Sequence, residues 1–222
     1  MIINYYDVQI RRIKEEDLEL IRYWRNTDKI SFKMQYRETI SRTTHREWFN
    51  KINNIQTGSA FIIEYKNQPI GMLHSFDDAD NLHVESGMFL WEEHYWSSYV
   101  PVMVSVMLTD IGFYLARNKE SYIKILKNNI NSISYNLQFG YKLCEGENDK
   151  VNQQYVLNLK NYEDKSHTFK EKLFNYHNCS STIQIFLEER DIVEGVIERF
   201  QINERRDYLK SHGIIIMLPD SK

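Results

Sequence analysis

Cysteine is nearly missing from this 222-residue chain: there are two, Cys144 and Cys179, and no C-x-x-C pair. That count excludes a disulfide-stapled scaffold and a cysteine-rich zinc site, and makes a reducing cytoplasm the expected compartment. Proline and glycine are sparse as well, at three and eight, so long flexible linkers are not expected. An excess of basic charge is also lacking, with 28 Lys and Arg against 31 Asp and Glu. Without a positive field, nucleic acid and anionic membrane surfaces are not expected as partners. No apolar run approaches the roughly 20 residues that cross a bilayer, and Met1–Asp7 lacks the basic start and apolar core of a signal peptide. No metal is expected: the seven histidines are scattered, without H-x-H or H-E-x-x-H spacing. Serine-nucleophile elbows and dinucleotide-binding glycine fingerprints are absent too. What is plentiful is aromatic, with 15 Tyr, 11 Phe and 4 Trp, which suits a core or pocket built partly from rings.

The order of elements follows from hydropathy period and punctuation. Alternation over Val8–Ile13 predicts a strand, and Glu16-Asp17 then open a helix bearing Leu18, Ile21 and Trp24. Residues 26–40 show no period and read as a loop or broken helix. Ser41 or Thr44 caps a second helix carrying Trp48, Phe49 and Ile52, and Thr57-Gly58 ends it. Three strands with short turns follow, Phe61–Tyr65, Pro69–His74 and Leu82–Trp91, the second turn being Asp77–Asn81. Val102–Leu115 is apolar over most of its circumference and predicts a buried helix. A strand at Tyr122–Lys127, a short helix at Asn131–Phe139 closed by Gly140, and strands at Tyr141–Cys144 and Gln154–Leu159 complete a βαα-βββ-αβαββ order. That order makes a mixed α/β sheet flanked by helices. Asp164-Lys165-Ser166 reads as a polar joint. It separates residues 1–160 from a small αβ extension, residues 161–222, with helices at Phe169–Tyr176 and Glu204–Ser211 and strands at Ile183–Leu187 and Ile214–Leu218.

This order, together with Asn129-Ile130-Asn131-Ser132-Ile133, Asn136 and Phe139-Gly140-Tyr141, resembles the GNAT superfamily of acetyl-CoA-dependent N-acetyltransferases over roughly residues 8–160. Trp24-Arg25-Asn26, Ile30, Met34, Ile40, His45 and Trp48-Phe49 resemble the branch that acetylates amino-sugar nucleotides, pseudaminic-acid-type biosynthesis being its setting. The resemblance implies a twisted mixed sheet, acetyl-CoA as acetyl donor, direct transfer, and a small-molecule amine acceptor that is nucleotide-linked. The alternatives are a protein or peptide N-acetyltransferase, and a binding or assembly module of the same fold that has lost acetyl-CoA. The extension is open to a homodimer, a partner or a cover for the acceptor cleft.

Residue roles come from the same resemblance. In such proteins the third meander strand faces the amine, and Glu85 is the candidate base, with His83 as the competing one; the bland alternative is a solvated strand glutamate. Met88, Phe89 and Leu90 are expected to offer backbone groups to the pantetheine arm. The pyrophosphate loop departs from the family pattern: Tyr99 and Pro101 stand where two glycines are expected, and Ser97 and Ser98 are the replacement donors. Asn136 occupies the place of a tyrosine acid in many relatives, and an amide is a poor acid. Asn129 is either a pantetheine contact or a helix cap. On the acceptor side the candidates are Trp24, Arg25, Asn26, Met34, His45 and Trp48. For Arg25 the alternative is a surface ion pair, and for Trp48 and His45 it is a helix-face core.

Overall fold

The computed structural model describes residues 1–53, 58–77 and 83–219. Ten strands form one sheet: β1 Ile2–Tyr5, β2 Val8–Arg12, β3 Gly58–Tyr65, β4 Gln68–Asp77, β5 His83–Leu90, β6 Glu120–Leu126, β7 Lys142–Leu143, β8 Asn152–Asn158, β9 Ile183–Phe186 and β10 Ile214–Met217. Their order across the sheet is β10-β9-β1-β2-β3-β4-β5-β6-β8-β7. The helices are α1 Leu18–Arg25, α2 Asp28–Ser31, α3 Arg42–Ile52, α4 Val100–Asp110, α5 Ile130–Phe139, α6 Leu159–His177, α7 Glu189–Val193, α8 Val196–Arg199 and α9 Arg206–Ser211.

Local chemistry accounts for the central elements. The β3–β4 hairpin turns at Lys66 and Asn67, both in the left-handed region at φ 51° and 62°, which is the backbone a two-residue hairpin needs. Ser41 caps α3 by accepting from the Thr44 N–H at 3.1 Å. Gly140 ends α5 at φ 101°, where a side chain would strain the backbone. Pro101 sits in the first turn of α4, the one helical place where its missing N–H costs little. Beyond Asp110, α4 runs on as a wider π turn, Ile111–Leu115, so the apolar stretch seen in the sequence is one buried rod with a bulge.

The sheet divides two apolar layers. On one side α4, α6 and the C-terminal segment cover Ile3, Ile10, Phe61, Leu73, Leu90 and Leu157. On the other, α1 and α3 place Leu18, Ile21, Phe49 and Ile52 against Ile62, Met72 and Trp91.

Two expectations are corrected, and residues 161–222 gain a place in the sheet. Asp164-Lys165-Ser166 is no joint, because α6 runs through it. Tyr162, Ser166, Phe169 and Leu173 form its buried stripe, while Asp164 and Lys165 are its solvent side. Gly58 opens β3 instead of closing the preceding helix, while Thr57 and residues 78–82 of the second meander turn lie outside the described residues. Residues 161–222 also join the main sheet, since β9 pairs antiparallel with β1 and β10 lies parallel to β9. The buried Arg12 of β2 reaches Asp191 of α7 at 3.1 Å and Glu194 at 2.8 Å. Among the described residues, no helix is long and apolar enough to cross a membrane, and no group of three or more His, Cys, Asp or Glu could hold a metal ion.

Candidate active site

The site begins with a failure of strand pairing. β5 and β6 are parallel neighbours, yet they pair only from His83–Glu85 to Glu120–Tyr122. Beyond that point β5 continues to Leu90 bonded to β4 alone, and β6 continues to Leu126 bonded to β8. The strands therefore part into a wedge: the Phe89 carbonyl faces β4, the Leu90 carbonyl accepts from the Trp96 indole, and the remaining backbone groups of Met88 and Leu90 lie on an edge that β6 leaves unpaired. Such groups call for another partner. Met88 and Leu90 anchor this edge in the α4 layer, and Phe89 in the α1 layer.

At the end of β5, residues 91–99 lead into α4. No residue of this stretch has positive φ, which explains why it needs no glycine for its conformation. A 3-10 turn, Glu93–Tyr95, does the bending. The Trp96 indole N–H donates to the Leu90 carbonyl at 3.0 Å. Ser98 Oγ accepts from the Val100 N–H at 3.2 Å and donates to the Tyr95 carbonyl at 2.7 Å. Val100 thus has a side-chain partner and Pro101 has no N–H, so the first turn of α4 offers fewer free donors than a glycine-rich loop. Ser97 is exposed. The Tyr99 ring packs on Tyr176 of α6 at 4.3 Å. Positive charge comes instead from α2 and the residues after it. Lys33 Nζ sits 3.2 Å from the centroid of Trp96, Lys29 lies 5.8 Å from the same ring, and burial lowers the Lys33 pKa.

On the face covered by α1 and α3, the acceptor candidates separate into two groups. Arg25 points inward: its guanidinium lies 5.8 Å from the Phe89 ring centroid, its Nη1 is buried without a hydrogen-bond partner, and burial lowers its pKa. Trp24 stacks on Trp91 at 6.0 Å. Glu85 is half-exposed and paired with Lys124 of β6 at 2.6 Å, an ion pair spanning the point where the strands part. His83 pairs through its backbone with Glu120, and its side chain lies outside the described residues.

The remaining candidates make contacts within the protein. Asn26 bonds the backbone of Ile40 with both ends of its amide, at 2.8 and 3.0 Å, so it pins the 26–40 loop. His45 is buried and stacked on Trp48 at 5.1 Å. Burial lowers its pKa, and its Nδ1 has no partner. Met34 and Trp48 pack on the α1–α3 layer. Asn129 caps α5 through the Ser132 N–H, and Asn136 donates to the Ser132 carbonyl at 2.8 Å. The neighbouring Tyr135 hydroxyl donates to Ser105 of α4 at 2.8 Å, and burial raises its pKa. Sequence reading missed Lys124, Lys29, Lys33 and His74. The signal for His74 was available only through pairing: it faces Gly87 across the β4–β5 ladder and therefore shares the face of Glu85 and Phe89.

No protein-family model matches the sequence, and no curated protein matches it. Solved structures do. Apo FdhC, a nucleotide-linked sugar GNAT, is 22% identical with a TM-score of 0.60, over 73% of this chain and 93% of its own. RimL, the ribosomal L7/L12 alpha-N-protein acetyltransferase in complex with coenzyme A, is 14% identical with a TM-score of 0.59, over 72% and 99%. A chimera of the spermidine N-acetyltransferase SpeG from Vibrio cholerae and hSSAT is 14% identical with a TM-score of 0.61, over 71% and 99%. The overall arrangement of strands and helices is thus shared with these structures: the chain has the fold of the GNAT acetyltransferases.

Proposed function

We propose that this protein transfers an acetyl group from acetyl-CoA to an amine on a nucleotide-linked sugar, in the cytoplasm and without a covalent enzyme intermediate. The observation that carries the reading is the wedge between β5 and β6 with the unpartnered Arg25 guanidinium on its acceptor side. A half-buried guanidinium with Nη1 sealed from water and unpartnered is costly, and the phosphate of a nucleotide is a ligand that a planar guanidinium binds well. The FdhC likeness agrees with such an acceptor.

The edge of β5 at Met88–Leu90 would hold the pantetheine amides as an added strand. The altered loop, with Ser97, Ser98 and Tyr99, and the start of α4 would face the donor's phosphates. Acetyl-CoA supplies an activated acyl carbon. The chain's own residues align the amine with it, exclude water and draw off the amine's proton. Glu85 supplies negative charge where that proton leaves, with His83 beside it on the same strand.

Calorimetry with acetyl-CoA and CoA tests the donor half. A panel of UDP- and TDP-linked amino sugars, free amino sugars and peptide N-termini tests the acceptor half. Binding of acetyl-CoA with preference for a nucleotide-linked sugar supports the proposal. Preference for a peptide moves the protein to the protein-acetyltransferase alternative. Absence of binding at millimolar acetyl-CoA by folded protein leaves only the binding-module reading.

A further inference from the structure

We propose that His74 is the group that receives the proton of the acceptor amine, reaching over β5 from β4, with Glu85 stabilising the imidazolium that results. The inference rests on the acetyltransferase reading above.

Position is the first argument. His74 lies opposite Gly87 in the β4–β5 register, and Glu85 lies opposite Phe76. All four project from the face that α1 and α3 cover. A Cβ built on Gly87 would lie 2.8 Å from Cε1 and 3.1 Å from Nε2 of His74. The imidazole therefore lies over β5 itself, in the space that a side chain at 87 would take. Gly87 is two residues beyond Glu85, the last β5 residue that pairs with β6. His74 is thus carried by one strand and delivered to the mouth of the wedge that the next strand lines.

Its bonding is the second argument. The ring makes a tilted contact with Phe76 at 5.4 Å, and neither nitrogen is hydrogen-bonded to another described residue. Half-buried imidazoles normally have a partner. A lone pair not spent on a protein hydrogen bond is available to a substrate amine that reaches the wedge.

The surrounding charges give the step a direction. The groups that act on His74 are Glu85 on β5, which favours the protonated ring, and Arg25 on α1, which opposes it. Lys124 on β6 holds Glu85 at 2.6 Å. With the acceptor site empty, burial and Arg25 hold the imidazole neutral, its pKa down to about 4. An anionic acceptor group seated on Arg25 cancels the opposing charge, so basicity rises when the substrate is in place. In the transfer, the amine nitrogen forms the C–N bond and the thioester C–S bond breaks. The proton lost from nitrogen goes to His74, and the thiolate leaves as CoA after taking a proton from solvent, to which His74 later returns its own.

The test uses the full chain and the best acceptor from the panel. His74→Ala is expected to lower kcat by about 10² at neutral pH, with unchanged acetyl-CoA affinity and partial rescue by added imidazole. His74→Gln keeps polarity and size and is expected to stay low without rescue. Histidine NMR supplies a readout apart from turnover: Arg25→Ala is expected to raise the His74 titration midpoint, and UDP added to the wild type is expected to raise it as well. Wild-type turnover with His74→Ala within about twofold of it overturns this proposal alone, as does a midpoint that ignores both Arg25→Ala and UDP. Wild-type protein that binds acetyl-CoA and acetylates no amine in the panel removes the acetyltransferase reading, and this proposal with it.

Discussion

Arg12 and Arg25 are both drawn into the protein, and they meet different surroundings. Arg12, on β2, reaches two carboxylates of the C-terminal segment, Asp191 and Glu194. Arg25, at the end of α1, has Phe89 beneath it and an Nη1 that finds nothing. The α4 side of the sheet shows the same closure elsewhere. Asp110 accepts from the Tyr162 hydroxyl at 2.7 Å and pairs with Lys170 at 2.8 Å. On the α1–α3 side, His45 Nδ1 and the His74 nitrogens have no hydrogen-bond partner among the described residues, like Arg25 Nη1. Polar groups on the first side are mostly bonded to one another, as a structural core requires, although Arg12 Nη2 and His177 Nε2 are buried without a partner there too. The second side has its own closed network, with Arg11 paired to Asp17 and Glu64 at 2.8 Å each, so what sets it apart is local: Arg25 and His74, next to the parting strands, have no such pair.

The largest expected effect tests the closed side. Asp191 is fully buried and Arg12 nearly so. Asp191→Ala leaves a buried guanidinium with less compensation, and such breaks cost about 3–5 kcal/mol. Urea unfolding should show a loss of that order, with acetyl-CoA affinity unchanged at temperatures where the variant is folded. A loss below about 1 kcal/mol would mean that the C-terminal segment is not stapled to β2 as the geometry says.

Acid tests the open side. The unfolded chain protonates the His74 imidazole near its ordinary 6.5, whereas the native state does so only near 4. Protons therefore favour unfolding across that interval, and this contribution to stability is lost as pH falls from about 6.5 towards 4. His45, also held down by burial, acts in the same direction. Denaturant midpoints at pH 7 and pH 5 should drop less for His74→Gln than for the wild type. Equal drops would show that His74 is not the buried neutral imidazole described.

Much of this fold was legible before any coordinates, and the reasons are specific. The meander alternates with period two, Gly140 and Ser41 punctuate helices by known chemistry, and Val102–Leu115 is apolar all round. β1 was not read because its turn, Tyr6-Asp7, holds no glycine, although Tyr6 adopts φ 51°. The joint at 164–166 was misread because a helix's solvent face looks like a linker when its buried residues are three and four apart. The site was less legible than the fold. Glu85 and Arg25, candidates from the motif resemblance, lie on the face that α1 and α3 cover. His74 could be placed there only once its register with Gly87 was known. Lys124 reaches Glu85 across 39 positions, and no local pattern announces such a pair.

Arg25→Ala is the direct counterpart of the Asp191 change. Removing an unpaired, half-buried cation should lower stability by no more than about 0.5 kcal/mol, since no hydrogen bond or ion pair is lost. Its cost should fall on substrate instead. A phosphate contact remote from the reacting amine binds ground and transition states alike, so KM should rise about tenfold while kcat holds. A fall in kcat with constant KM would place Arg25 at the reacting atoms.

The smallest effect separates a loop pin from a ligand. Asn26 follows Arg25 in the sequence, and the resemblance groups the two as acceptor contacts. In the structure its Oδ1 accepts from the Ile40 N–H at 2.8 Å, and its Nδ2 donates to the Ile40 carbonyl at 3.0 Å. Each bond is worth about 0.5–1.5 kcal/mol net, and together they tie the end of α1 to the residue before the Ser41 cap of α3. Asn26→Ala should therefore lower stability by about 1–2 kcal/mol, with a KM change smaller than that of Arg25→Ala. Asn26→Asp keeps the acceptor for the Ile40 N–H and loses only the donor, so about half of the stability should remain. If Asn26→Ala leaves the unfolding curve unchanged and raises KM as far as Arg25→Ala does, the Ile40 bonds are incidental. Asn26 then belongs with the open groups of the acceptor face.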